Sequence, residues 1–414
     1  MLDPEYLRDV VDGAVVIAQG LHEYIIREII RRMLVRMGRG ADYLLTSSDR
    51  WRLQVLQESG YLLEDIQKEI ARRTGFQLKE LQEAFEQAGV DALAYDDAIY
   101  RKAGISPTPL QQSPHLIRIM EQSYRRTAQT WQNFTRTTAY TAQQTFIREC
   151  DTAYQKMASG AVAYTQAVRE AVAAASRDGA LIRWTDSGGR VYHTDTIETA
   201  TARAVRTGIA QMSGDVTLAR MDEVGWDIIL VSAHEGARTG DGGENPGNHM
   251  WWQGKYYSKS GKDPRFPNFY EATGYGTGEG LCGYNCRHSF GSGTGDPESN
   301  PYKDFSNEES QKIEARDKKQ RALERKVRHT KSEVAALKTA LDNCSDPALK
   351  EGLQEDYERK AYKLRQQQDK YYDFCKDTGA RTQMERLEVA RFTREQRKAA
   401  EMAARRYQKK LNND

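Results

Sequence analysis

"WDIILVSAHEGAR", residues 226–238, carries a short continuous apolar run rich in isoleucine and valine. Such a run reads as a buried strand. It stands in a chain whose other periodicity is helical, so its reading decides the fold: mainly α, with a small central α+β domain over 178–300. Just upstream, "ALIRW" and "TDSGGRVYH" set a Ser-Gly-Gly turn between two β-prone runs, a hairpin signal. A helix over about 195–222 follows, with Ile197, Thr201, Val205, Gly208, Ile209 and Met212 on one face. Downstream, an irregular stretch runs to about residue 300. It holds much of the chain's glycine, the Trp251-Trp252 pair and three of the seven histidines. Loops this long inside a compact domain are functional, or need something to fix them.

On the N-terminal side, 1–105 reads as an elongated helical region. Pro4 after Asp3 marks a helix start, and Leu7, Val11, Ala14, Ala18, Leu21, Ile25, Ile29 and Met33 recur at helical spacing through one helix over 4–37. "GRGADYLLTSSD" breaks it. Three separate helices, each closed by a glycine, are expected from "SSDRWRLQVLQESG", "LLEDIQKEIARRTG" and "QLKELQEAFEQAG". "SPTPLQQSP" (106–114) is a proline-rich linker. The 115–177 segment is helical and weakly apolar, suited to packing on a partner or to an exposed place in a bundle. Beyond the centre, 301–414 reads as a charged helical hairpin with a basic tail. Leu323, Val327, Thr330, Val334, Leu337 and Leu341 make a coiled-coil-like heptad seam, and "NCSDPALKEG" turns into a return helix. A last basic helix is expected from near Thr382.

The 414 residues have room for more than one domain, and 39% hydrophobic against 29% charged residues fits long, partly exposed helices. Net charge is only +2, so bulk charge does not mark a nucleic-acid binder, yet residues 301–414 hold 28 Lys and Arg against 21 Asp and Glu. That basic end could touch nucleic acid or an acidic partner. Five dispersed cysteines make no disulfide framework and fit reduced thiols. Acidic residues occupy the place of a basic leader and no apolar run reaches membrane-spanning length. A soluble chain without an export signal or a membrane partner is therefore expected.

"GLCGYNCRHSF" (280–290) gathers Cys282, Cys286 and His288 with Asn285 and Arg287. Thiolate and imidazole are zinc's ligands, and Cys282, Cys286, His288 and His234 form a candidate set, with His249 as the rival upstream histidine. Zinc is the one cofactor the sequence raises. Without a metal, the same residues form a buried lock of hydrogen bonds and thiol packing, supported by Trp252, Gly254, Asn285 and Arg287. An enzymatic reading would take His234 as acid or base and Arg238 as anion holder, with His249, Lys255 and Tyr257 completing a ribonuclease-like site. No nucleophile elbow, phosphate loop or His-Glu-x-x-His motif is present, so a non-enzymatic role is expected.

The order of "RVYHTDTIETATARAVRTGI", "LVSAHEGAR", "HMWWQGKYYS", "ATGYGTGEGLCGYNCRHSF", "ALERKVRHTK" and "YYDFCKDTG" resembles the phage minor capsid protein 2 family. That group is related to the Mu protein F-like head morphogenesis proteins of tailed bacteriophages. The inserted "TGDGGENPGN" departs from the family pattern and loosens the equivalence of His249. The resemblance implies a structural virion protein, present in multiple copies at the capsid or portal vertex and in the host cytoplasm during assembly. It implies the portal protein and the major capsid protein as partners; the basic tail itself raises a further alternative, a head protein that contacts genomic DNA. The alternative is a virion-carried nuclease-like or toxin-like enzyme using His234 and Arg238.

Overall fold

The computed structural model describes residues 1–41, 48–302, 305–390 and 392–413. The fold is mainly α, with a small α+β part made of five short strands among the described residues. The chain divides into two compact units, each assembled from three separate stretches. The first takes Met1–Val15, Gly75–Gln132 and Thr199–Asp317, and the second takes Val16–Thr74, Asn133–Glu198 and Lys318–Asp414.

In the first unit the run at 228–231 is a strand, as its composition predicts. β3 (Ile228–Val231) is the middle of a three-stranded antiparallel sheet, between β4 (Tyr256–Ser258) and β5 (Phe290–Ser292). A central strand loses water on both faces, which is why Ile229, Leu230 and Val231 are all apolar and buried. The helix Ile197–Val224 supplies Val205, Ile209, Met212 and Val216 to the same core, with Leu81, Phe85 and Ala88, Trp252, Phe269 and Phe290. A fully buried carboxylate, Asp96, fixes the sheet edge. Its Oδ1 accepts from the Ser292 N–H at 2.8 Å and its Oδ2 from the Thr217 hydroxyl at 2.7 Å.

The second unit is a helical assembly plus one hairpin. β1 (Leu181–Thr185) and β2 (Val191–Thr196) pair antiparallel, and Asp186 Oδ1 closes the predicted turn by accepting from Gly188 and Arg190 N–H. The charged helices Asn307–Asn343 and Pro347–Thr378 run antiparallel over residues 320–375: Gln320 reaches Tyr371, Glu324 reaches Tyr371, and Lys360 Nζ donates to Glu333 at 2.6 Å. Asp346 caps the return helix ahead of Pro347, and Val327, Thr330, Val334, Leu337 and Leu341 of the expected seam are buried. Arg169 grips Asp356 through two hydrogen bonds of 2.7 and 2.9 Å, holding the helix Tyr164–Asp178 on the return helix.

Several expectations are corrected. Residues 4–37 are two helices, Pro4–Asp9 and Asp12–Met37, although the predicted stripe from Leu7 to Met33 is buried throughout. The three helices expected before residue 103 are one, Ser48–Lys102, which passes through Gly60, Gly75 and Gly89. A helical glycine costs only about 1 kcal/mol, less than the packing along such a stripe returns. Gly89 also admits Met120, whose Cε lies 2.3 Å from where a Cβ would stand. Of the break predicted at 38–49, residues 42–47 lie outside those described.

The weakly apolar 115–177 segment is two helices, Pro114–Ala158 and Tyr164–Asp178, and its small polar face is buried within the chain itself. Thr135, Thr138, Ala139, Ala142, Thr145 and Phe146 are covered, and the Thr138 hydroxyl donates to the Phe134 carbonyl at 2.8 Å. That local bond is what lets a helix bury threonine. The last helix is Arg394–Leu411, beginning at its Thr393 cap rather than near Thr382. The intervening chain is held elsewhere: Gln320 Nε2 donates to the Arg381 carbonyl, the Gln383 N–H to the Tyr371 hydroxyl, and Leu387, Val389 and Phe392 are buried.

Candidate functional site

Strand pairing assembles the site. Beyond the Val231–Phe290 pair the ladder continues through Ser232 N–H to the Ser289 carbonyl, and through Ser289 N–H to the Ser232 hydroxyl, each at 2.9 Å. Extending that antiparallel register brings the residues after β3 opposite those before β5. His234 and His288 therefore meet, their rings stacked at 4.3 Å. A short helix, His249–Trp252, is capped by Asn248 and delivers the third histidine. His249 packs on Trp252 at 4.5 Å and edge-on to His288 at 5.4 Å, and Trp252 closes on His288 at 4.8 Å. The Trp252 indole N–H donates to the Pro246 carbonyl at 3.0 Å, which ties down the inserted loop ahead of His249.

The turn carrying the cysteines is folded by close backbone approach. A Cβ on Gly280 would stand 2.3 Å from the Gly274 carbonyl oxygen, and one on Gly283 would stand 2.5 Å from that of Gly278. Neither glycine takes a left-handed backbone; Cys282 and Asn285 do, both at φ 59°. Cys282 and Cys286 are buried, and both thiols lie near the His288 carbonyl, at 3.6 and 3.9 Å. Cys286 Sγ also faces His288 Nδ1 at 3.6 Å.

Hydrogen bonding fixes the tautomers of two histidines. His288 Nε2 lies 2.9 Å from Gln253 Oε1 and His249 Nε2 lies 2.8 Å from the Glu279 carbonyl; both partners only accept, so each Nε2 carries the proton. Each ring is left with a Nδ1 lone pair. Burial lowers the His288 pKa well below its usual value, with the neighbouring histidines and then Arg287 and Arg238 adding to the effect. Burial likewise brings His249 down to about 4 against the weaker pull of the Glu279 carbonyl. Both rings are neutral near pH 7. Burial raises the thiol pKa of Cys282 and Cys286. Among the described residues, the ligand atoms of His249, Cys286 and His288 all lie within 4.8 Å of one another.

The other sequence-derived candidates take distinct places. His234 is half-buried, with Nδ1 2.9 Å from the Glu235 carbonyl and 3.3 Å from Arg287 Nη2. Arg238 Nη2 donates to the Tyr284 carbonyl at 2.9 Å, and Lys255 Nζ donates to the Trp251 carbonyl. The Tyr257 hydroxyl donates to the Trp252 carbonyl at 2.7 Å. Gly254, at φ 68°, passes close to Ala233. Gln253 is the residue that sequence reasoning missed. Its Oε1 accepts from both His288 Nε2 and the His234 N–H, and its Nε2 donates to Met250 sulfur. A lone glutamine after two tryptophans carries no sequence signal of that role.

Chemically, the cluster is a buried nitrogen and sulfur nest with the His249 and His288 rings each held in one tautomer. It suits a rigid lock or a soft-metal site. No curated protein and no solved structure matches the chain. The family model for phage minor capsid protein 2 matches residues 2–376, which takes in both units and the cluster. The chain belongs to the phage minor capsid protein 2 family and is a structural component of a phage capsid.

Proposed function

We propose that this protein joins the head during assembly by binding the portal or the shell, and that it acts as a structural connector rather than a catalyst. The family match over residues 2–376 carries this reading. Exposed apolar side chains on the helix Ser48–Lys102 support it: Leu53 and Leu56 are 69% and 49% exposed. Residues three apart share a helix face, and apolar side chains on such a face fit a surface that another head protein covers. The connector role is also favoured by the engagement of the polar candidates. His249 and His288 are buried, with Nε2 bonded to an oxygen of Glu279 or Gln253, and Arg238 and Lys255 hold backbone carbonyls. Co-expression with portal and shell proteins tests the reading. Leu53→Glu with Leu56→Glu should leave the chain folded and reduce its recovery in assembled heads at least about tenfold, the equivalent of ~1.4 kcal/mol. Undiminished incorporation would remove this face from the interface.

A second reading, contact with packaged DNA, is favoured by the last helix. Arg394, Lys398, Arg405 and Lys409 are exposed and recur at spacings that keep them on one face. Arg406 and Lys410 are instead bound to Glu358. Binding of duplex DNA that weakens linearly in log salt, with a slope reduced by about one for each of these four residues replaced, is the outcome expected of that contact.

A further inference from the structure

We propose that His249, Cys286 and His288 bind one zinc ion, with Cys282 and His234 outside the coordination sphere. Three observations converge on this ligand set. The ligand atoms of these three buried residues lie within 4.8 Å of one another, a closeness that among the described residues no other group of three or more His, Cys, Asp or Glu matches. Cys286 Sγ and His288 Nδ1 are 3.6 Å apart. Two ligands on a tetrahedral zinc, at bond lengths of about 2.3 Å to sulfur and about 2.0 Å to nitrogen, stand roughly 3.5 Å from each other. Finally, both rings are already held as ligating histidines are. Each Nε2–H is fixed on an oxygen, of Gln253 for His288 and of Glu279 for His249, so each ring offers Nδ1.

A donor set of one thiolate and two imidazoles selects zinc over magnesium, calcium or manganese, which prefer oxygen. The Cys286 thiol loses its proton to solvent as the sulfur–metal bond forms, and the imidazoles bind as they stand. Three protein ligands leave one corner of the tetrahedron for a water molecule. Cys282 and His234 stand outside the set because the ligand atoms that converge within 4.8 Å are those of His249, Cys286 and His288. The ion would join the short helix after the inserted loop to the segment entering β5. That is a cross-link in a stretch with little regular structure of its own.

The test uses the intact chain, loaded with zinc and dialysed, then assayed for bound metal. About one equivalent is expected for the unaltered protein and for Cys282→Ser and His234→Gln, with less than about a tenth of that for Cys286→Ser and His249→Gln. In parallel, cobalt is loaded in place of zinc on the unaltered protein. Intense tetrahedral cobalt bands with a thiolate charge-transfer band are expected, and this readout needs no variant to fold. Circular dichroism of each variant separates lost binding from lost structure. Metal content near zero in the unaltered protein, cobalt spectra without a thiolate band, or loss of metal from folded Cys282→Ser or His234→Gln equal to that from Cys286→Ser would each overturn the assignment.

Discussion

His22 Nδ1 lies 3.1 Å from Glu198 Oε2, and the two side chains are only 13% and 16% exposed. Burial pulls the His22 pKa down, but the Glu198 charge and hydrogen bond outweigh it and raise the value to about 9. Glu198 is correspondingly held at about 2, its burial overcome by His22. The sign follows from linkage. A raised histidine pKa gives stability that is complete below the unfolded value near 6.5 and is lost as pH rises through about 9. A depressed carboxylate pKa gives stability that is complete above about 4.5 and lost as pH falls through about 2. One interaction underlies both limbs, worth roughly 3 kcal/mol. The urea midpoint of the intact chain should therefore decline between pH 7 and 9.5. His22→Leu, which strands Glu198, should unfold at lower urea near neutrality and show a flatter alkaline limb. An alkaline limb identical in both proteins would contradict the pair.

Val334 sits in the buried seam of the antiparallel helices in the second unit. An unpaired carboxylate there is shut off from water, at a cost of several kcal/mol against a total stability of about 5–15. Val334→Asp should lower the urea midpoint sharply and expose amides of 318–378 to hydrogen exchange. Wild-type protection in those helices would place the seam outside the core.

What could be read from the sequence in advance follows the range of the interaction. The apolar run at 228–231, the Ser-Gly-Gly turn, the Asp346-Pro347 cap and the 3.6-period stripe from Leu7 to Met33 are local signals, and the structure carries each of them. The continuity of Ser48–Lys102 was hidden because glycine is weighed locally, whereas tertiary packing sets whether the helix continues. In the cluster, Cys286 and His288 are two residues apart and visible together. Which upstream histidine joins them depends on the β3–β5 register and on the short helix at 249–252, both long-range facts. Asp96 and Gln253, the buried polar supports, carry no motif at all.

Gly60 and Gly75 are exposed in the interior of a long helix, with no atom within 4 Å of where a Cβ would stand. Alanine there removes backbone freedom from the unfolded chain and meets nothing in the folded one. Gly60→Ala and Gly75→Ala should each stabilise by about 0.5–1 kcal/mol, read as a higher urea midpoint at unchanged slope. A destabilised variant would mean that the helix bends or is contacted at that residue.

Two neighbouring positions in the cysteine turn should respond in opposite ways. Gly280 has an ordinary backbone conformation, but its missing Cβ is where the Gly274 and Thr273 carbonyl oxygens stand, 2.3 and 2.5 Å away. Both obstacles are backbone, which cannot swing aside as a side chain would. Gly280→Ala must displace the turn that sets Cys282 and Cys286, at a cost of roughly 1–3 kcal/mol. Asn285 is exposed and adopts φ 59°, a conformation glycine takes without penalty. Asn285→Gly should stay within about 1 kcal/mol of the unaltered protein, whereas Asn285→Val, β-branched at positive φ, should lose more than that. Thiol accessibility gives the matching site readout: Cys282 and Cys286 should react with a thiol reagent faster in Gly280→Ala and at the original rate in Asn285→Gly. Equal reactivity in all three proteins would show that the close approach at Gly280 does not hold the cysteines in place.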